Sequence, residues 1–199
     1  YDTDKLLLTP GERYDVLVRG VGEPGDEVGL YAKAYNRGQM HGMDGARQLA
    51  TVRYSGAGAL EEKVFPATSV PIAPILDLGT APIREIVLDE MEGGFGLNGE
   101  LWPQVTPIHV AEGDVEIWRI DNRTGWDHPF HLHGNFFQAL TVDGVPQDLV
   151  WKDTINVKRQ TITDFAVRHD NPGGWMFHCH ILGHAEDMGM AGELHVGME

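Results

Sequence analysis

The chain has 199 residues, of which 42% are hydrophobic and 23% charged, and its formal net charge is -15 at neutral pH. That length holds one domain with a real core and part of another. The acidic balance excludes the basic face of a nucleic-acid binder, and no apolar run approaches the ~20 residues of a membrane-spanning helix, so neither nucleic acid nor membrane is an expected partner.

In chain order, Tyr1 to Val18 reads as the interior of a domain, with no signal peptide. An apolar patch precedes the turn Thr9-Pro10-Gly11 and an alternating run from Arg13 to Val18. The chain is therefore expected to lack the start of its first domain. Strands are expected at Val16 to Arg19, Val28 to Ala34 and Gln48 to Tyr54, broken by Pro24-Gly25 and Asn36-Arg37-Gly38. Three strands bury too little alone, so residues 1–58 read as the C-terminal part of an incomplete β-sandwich domain. Gly, Ala and Pro then dominate without periodicity, and residues 59–83 read as a linker.

From residue 84 to 199 strand signals recur at short spacing. They are Arg84 to Leu88, Ile108 to Val110, Asp114 to Ile120, Phe136 to Val142, Thr154 to Val157, Gln160 to Val167, Gly174 to Cys179 and Glu193 to Val196. Turns such as Asp143-Gly144 and Asn171-Pro172-Gly173 separate them, and a short helix is expected from Ile181 to Asp187. Short strands with regular turns predict an all-β sandwich or barrel.

Six of the ten histidines fall in two clusters, His128-Pro129-Phe130-His131-Leu132-His133 and His178-Cys179-His180-Ile181-Leu182-Gly183-His184. Imidazole and thiolate are transition-metal ligands. One thiolate, two imidazoles and a weak axial methionine describe a blue-copper electron-transfer site. Cys179, His184 and His128 supply the first three, and Met188 and Met190 follow. Structural zinc sites usually take paired cysteines, and Cys179 is the only cysteine. Side chains on a strand alternate. His178 and His180 thus share a face opposite Cys179, and His131 and His133 share one in the same way. Four histidines then converge with the thiolate behind them, and a few bonds join Cys179 to His178 or His180, a path suited to passing electrons between two metal centres. How many ions the four hold stays open at this level, because a His-x-His pair also chelates a single ion.

These motifs resemble the two C-terminal copper motifs of three-domain, laccase-like multicopper oxidases. Asp114-Val115-Glu116-Ile117-Trp118, Asn122, Asp127 and Trp151-Lys152-Asp153-Thr154 also look like that family, and residues 1–60 resemble the end of its second domain. The resemblance implies a cupredoxin-like Greek-key β-sandwich preceded by part of a second cupredoxin-like domain. It implies copper as cofactor: His128, Cys179 and His184 as type 1 ligands, His131 as a type 2 ligand, and His133, His178 and His180 as type 3 ligands. It also implies one-electron oxidation of phenolic, amine or metal-ion donors coupled to reduction of dioxygen to water, and a periplasmic or secreted location. The alternatives are a blue-copper electron-transfer module, which leaves four histidines idle, and a copper nitrite reductase, which three clustered histidines fit less well.

Three features depart from the family pattern. The axial methionine commonly sits ten residues after the cysteine, and that position is Gly189 here; Met190 is preferred, with Met188 the alternative. The trinuclear cluster needs four further histidines in His-x-His pairs, and His41, His109, His169 and His195 form none. An N-terminal domain or a second chain is therefore expected to supply them. The acidic residue that follows the last type 1 histidine in some relatives is Ala185 here, with Glu186 or Asp187 as substitutes. Asp153 is expected to hold a ligand histidine in its tautomer. Met40-His41-Gly42-Met43 reads as a surface loop that copper would suit. Trp126 and Trp151 read equally as substrate approach or core.

Overall fold

The structure, a computed structural model, describes residues 3–38, 45–56, 71–187 and 189–198. Met40, His41 and Met43, Met188 and residues 59–70 of the 59–83 segment lie outside the described residues.

Contacts divide the chain into two units. One, Tyr14–Pro71, contains strands β1 (Glu27–Ala32) and β2 (Arg47–Arg53), paired antiparallel. Almost every residue of both strands is exposed. Val16 to Arg19, expected as a strand, has no regular secondary structure and pairs with no described strand. Its alternation is real, but a strand exists only through a neighbour's hydrogen bonds, and Val16, Leu17 and Val18 stay exposed.

The other unit joins Tyr1–Arg13 to Ile72–Glu199. It contains β3 (Ile83–Met91), β4 (Gly94–Leu97), β5 (Ile108–Val110), β6 (Val115–Asn122), β7 (His128–Leu132), β8 (Phe137–Val142), β9 (Val145–Pro146), β10 (Trp151–Lys152), β11 (Thr154–Val157), β12 (Ile162–Arg168), β13 (Gly173–Cys179) and β14 (Ala191–Val196). One sheet runs β10-β8-β12-β6-β3-β4, with β9 folded back on β8; the other runs β11-β7-β13-β14-β5. The pairs β3–β6 and β14–β5 are parallel and the rest antiparallel. This is the expected all-β, cupredoxin-like sandwich.

Strand periodicity builds the core. Along β6 the residues alternate between half-buried and buried, so Trp118 and Ile120 face inward. Ile86, Leu88, Phe137 and Phe165 from the first sheet meet Phe130, Leu132, Phe177 and Leu194 from the second. Each such fully buried side chain stabilises the sandwich by about 1.5–3 kcal/mol. The β8–β9 turn is Asp143-Gly144, with φ of 50° and 77°, the pair of positive values a tight two-residue hairpin requires. The expected helix after Cys179 is a single wide turn, Gly183–Asp187, with π-type pitch. The short strands β4, β9 and β10 carry no clear alternation and were not expected.

Candidate metal centre

The pairing of β7 with β13 brings the two histidine clusters together. His178 is the register partner of His131, and Cys179 of Phe130. Neighbouring residues on β13 then point opposite ways, and the ligands divide into two sets.

The first set is buried. The ligand atoms of His128, Cys179 and His184 lie within 4.8 Å of one another. His184 Nδ1 is 3.3 Å from His128 Nδ1 and 3.8 Å from Cys179 Sγ. Ligands about 2.0–2.3 Å from one tetrahedral ion stand roughly 3.3–3.6 Å apart, so this spacing suits a single ion. His184 sits on the wide helical turn, where its N–H donates to Ile181 O at 2.8 Å; such turns concentrate at functional sites. Met190 is buried, and its carbonyl accepts the Cys179 N–H at 3.1 Å.

Groups around the ligands orient them. The Thr124 hydroxyl lies 2.7 Å from His128 Nε2. It donates to Asn122 Oδ1 at 2.9 Å, so its oxygen accepts from His128 Nε2–H and leaves Nδ1 bare toward the site. The Asn122 amide also donates to Trp126 O and Val157 O, pinning the loop that leads into β7. The Ile181 N–H points at Cys179 Sγ from 3.4 Å. The Phe95 ring centre lies 4.4 Å from that of His184 and 5.1 Å from that of His128, and the Trp126 ring centre lies 5.5 Å from that of His184, the two rings nearly perpendicular. Burial, and then the neighbouring His184, pushes the His128 imidazole down to about 3. It is therefore a neutral donor across ordinary pH.

The second set is partly exposed. His131, His133 and His178 have ligand atoms within 4.8 Å of one another. His133 Nε2 is 3.0 Å from His178 Nε2. The His180 ring lies 5.3 Å from His131 and 5.6 Å from His178. His131 Nδ1 donates to Asp153 O and His178 Nδ1 to Cys179 O, each at 2.9 Å. A carbonyl only accepts, so both rings carry their proton on Nδ1 and present bare Nε2 atoms. Burial lowers the His131 imidazole, although the Asp153 carbonyl opposes that shift. The donors of both sets therefore fit copper.

The remaining sequence candidates are placed as follows. Trp126 belongs to the core, whereas Trp151 is 47% exposed. Asp153 accepts two guanidinium nitrogens of Arg13, at 2.6 and 2.8 Å. His169 is buried beside Glu116, and His109 faces His195 across β5 and β14 with ring centres 4.7 Å apart; all lie outside both sets. Phe95 and Thr124 escaped the sequence reading. A lone phenylalanine or threonine carries no signature, although Gly93 and Gly94 mark a turn at Phe95.

Residues 79–199 match the family described as Multicopper oxidase. The chain is 31% identical over 196 residues to Multicopper oxidase MmcO of Mycobacterium tuberculosis, covering 90% of this chain and 36% of that protein. It is 28% identical over 205 residues to a laccase of Haloferax volcanii, covering 94% and 34%. The crystal structure of the McoA multicopper oxidase 2F4 variant from Aquifex aeolicus superposes with a TM-score of 0.78 at 29% identity, covering 89% of this chain and 42% of that one. The chain thus spans about a third of the length of these curated relatives.

Proposed function

This chain belongs to the multicopper oxidase family, and on that footing we propose that it forms the electron-entry site and half of the oxygen-reducing site of a laccase-like oxidase. The observation that carries the reading is the division of Cys179 from its neighbours: the thiolate lies with His128 and His184, His178 lies with His131 and His133, and the His180 ring is 5.3 Å from that of His131. Cys179, His128, His184 and Met190 would hold a type 1 copper. His131 would hold a type 2 copper, and His133, His178 and His180 would hold a type 3 pair. An N-terminal domain or second chain brings four further histidines to the partly exposed set. Residues 1–58 belong to a preceding cupredoxin-like domain, 59–83 link the two, and 84–199 form the C-terminal domain.

Copper bound at these residues supplies one-electron exchange, so that four electrons from phenolic, amine or metal-ion donors reduce dioxygen to two waters, with four protons taken up. The chain's own residues provide the route and the surroundings. Buried Cys179 connects to the second set through its own backbone and through the His178 Nδ1–H bond to Cys179 O. Phe95 and Trp126 exclude water from the first set, which strengthens every electrostatic interaction inside it. Thr124 and Asp153 hold His128 and His131 with the correct ring nitrogen forward. A blue-copper electron carrier needs the first set alone, and the packed quartet of His131, His133, His178 and His180 argues against it. A periplasmic or secreted location is part of this proposal.

Oxygen uptake by the copper-loaded, full-length protein with a phenolic donor tests the reading. Uptake that stops when His131 and His133 are replaced supports it; no uptake with phenolic, aromatic amine or ferrous donors defeats it.

A further inference from the structure

The turn Thr9–Arg13 packs beside β11, the strand paired with β7, and against the His180 ring. It is closed on itself, with the Glu12 N–H on Thr9 O and the Thr9 N–H on Glu12 Oε2, both at 3.0 Å. Three side-chain contacts anchor it to β10, β11 and the residue between them. Lys152 Nζ donates to Glu12 Oε1 at 2.6 Å, Thr9 Oγ1 lies 3.4 Å from Asn156 Oδ1, and Arg13 holds both oxygens of Asp153. Gly11, at φ 88°, brings bare backbone against a candidate ligand: a Cβ there would lie 2.6 Å from His180 Cδ2.

Asp153 passes this anchoring on to His131. Its Oδ1 accepts the Thr154 hydroxyl at 2.9 Å, and the Thr154 oxygen lies 2.9 Å from His131 Nδ1. A hydroxyl that gives its only proton to a carboxylate can only accept from the imidazole. The Asp153 carbonyl, also 2.9 Å from Nδ1, can only accept as well. Both partners therefore require the proton on Nδ1. Without Arg13, the Asp153 carboxylate loses the fork that aims it, the buried Thr154 hydroxyl becomes able to donate to Nδ1, and the Asp153 carbonyl alone still holds the proton there, so the two tautomers mix. The opposite tautomer would then place a proton where a metal must bind.

We infer that the Thr9–Arg13 turn is a positioning device for two candidate ligands, with Arg13 setting the tautomer of His131 through Asp153 and Thr154, and Gly11 seating the His180 ring. The inference rests on the reading of His131 and His180 as copper ligands. It adds that the sequence Thr9-Pro10-Gly11-Glu12-Arg13 belongs to the metal centre although it supplies no ligand.

The test uses the full-length protein and two variants, Arg13→Met and Arg13→Lys. Lysine keeps the charge but loses the two-pronged grip. In the metal-free protein, long-range proton–nitrogen NMR spectra read the His131 tautomer. The expected result is a single Nδ1–H form in the parent, a mixture in Arg13→Met and a smaller shift of the same sign in Arg13→Lys. In the copper-loaded protein, the quartet of Arg13→Met should hold copper about 10-fold more weakly or worse, with altered paramagnetic resonance of its non-blue copper, while the blue band from Cys179 stays. Parent-like tautomer populations in Arg13→Met, or in Arg13→Lys if the methionine variant does not fold, overturn the inference. A parent that binds copper without blue colour sinks the copper reading instead, and the metal-free spectra still decide the role of Arg13.

Discussion

Cys179 and Met190, eleven residues apart in sequence, are tied by a main-chain hydrogen bond of 3.1 Å from the Cys179 N–H to the Met190 carbonyl. The Met190 N–H in turn donates to His184 O at 2.9 Å. The loop between cysteine and methionine is thus closed at its base, and Met190 stays beside Cys179 and His184 while the wide turn Gly183–Asp187 absorbs the intervening chain.

Replacing Met190 with leucine keeps the buried volume nearly constant and removes the thioether. With Met190 axial, the reduction potential of the blue centre rises, because a weak electron donor is lost. Redox titration of the copper-loaded protein, followed at the blue band, reads the shift. An unchanged potential would assign the axial position elsewhere.

Thr124→Val removes the acceptor of His128 Nε2–H while preserving shape. Loss of such an orienting partner lowers metal affinity about 10–100-fold. Competition with a copper chelator, with blue colour as readout, measures it. Parent-like retention of copper would show that burial alone holds the His128 ring.

Much of the site was legible in sequence because strand alternation and ligand chemistry are both local. The strands Ile108–Val110 and Thr154–Val157 form at the residues read from the sequence, and β13 begins one residue earlier. The alternation of His178, Cys179 and His180 already separated thiolate from imidazoles. Val16 to Arg19 failed for the opposite reason, since its pattern needed a partner strand that pattern alone cannot supply. Phe95, Thr124 and the Arg13 grip on Asp153 were hidden because they depend on which strands become neighbours. Arg13 and Asp153 are 140 positions apart.

Glu116 is a buried carboxylate away from both metal sets. Burial alone would raise it, but hydrogen bonds from His169, Arg84 and Trp118 outweigh burial and bring it from 4.5 down to about 2. A carboxyl depressed in the folded state contributes stability that is complete above its unfolded value and lost as pH falls through its folded value. Stability should therefore decline between about pH 4.5 and 2. Glu116→Gln should lower neutral-pH stability by about 2 kcal/mol and flatten that acid limb. Thermal denaturation of the metal-free protein across pH checks both.

Gly134 ends the β7 histidine run at φ 69°, and a Cβ there would overlap the Trp175 indole. Trp175 Nε1–H donates to Asn171 O, and Asn171 Nδ2–H to Gly134 O, at 2.8 and 2.7 Å. Gly134→Ala should destabilise the protein by about 2 kcal/mol or more, through backbone strain and displacement of Trp175. Chemical denaturation measures it, and a change below about 0.5 kcal/mol would show that the turn yields freely.

The most direct test is the visible spectrum of the copper-loaded, full-length protein before and after Cys179→Ser. The expected result is an intense blue band in the parent that vanishes in the variant, while the non-blue copper held by His131, His133, His178 and His180 remains. A colourless parent, or a band that survives the substitution, would contradict the assignment of Cys179 as the thiolate linking the two histidine sets.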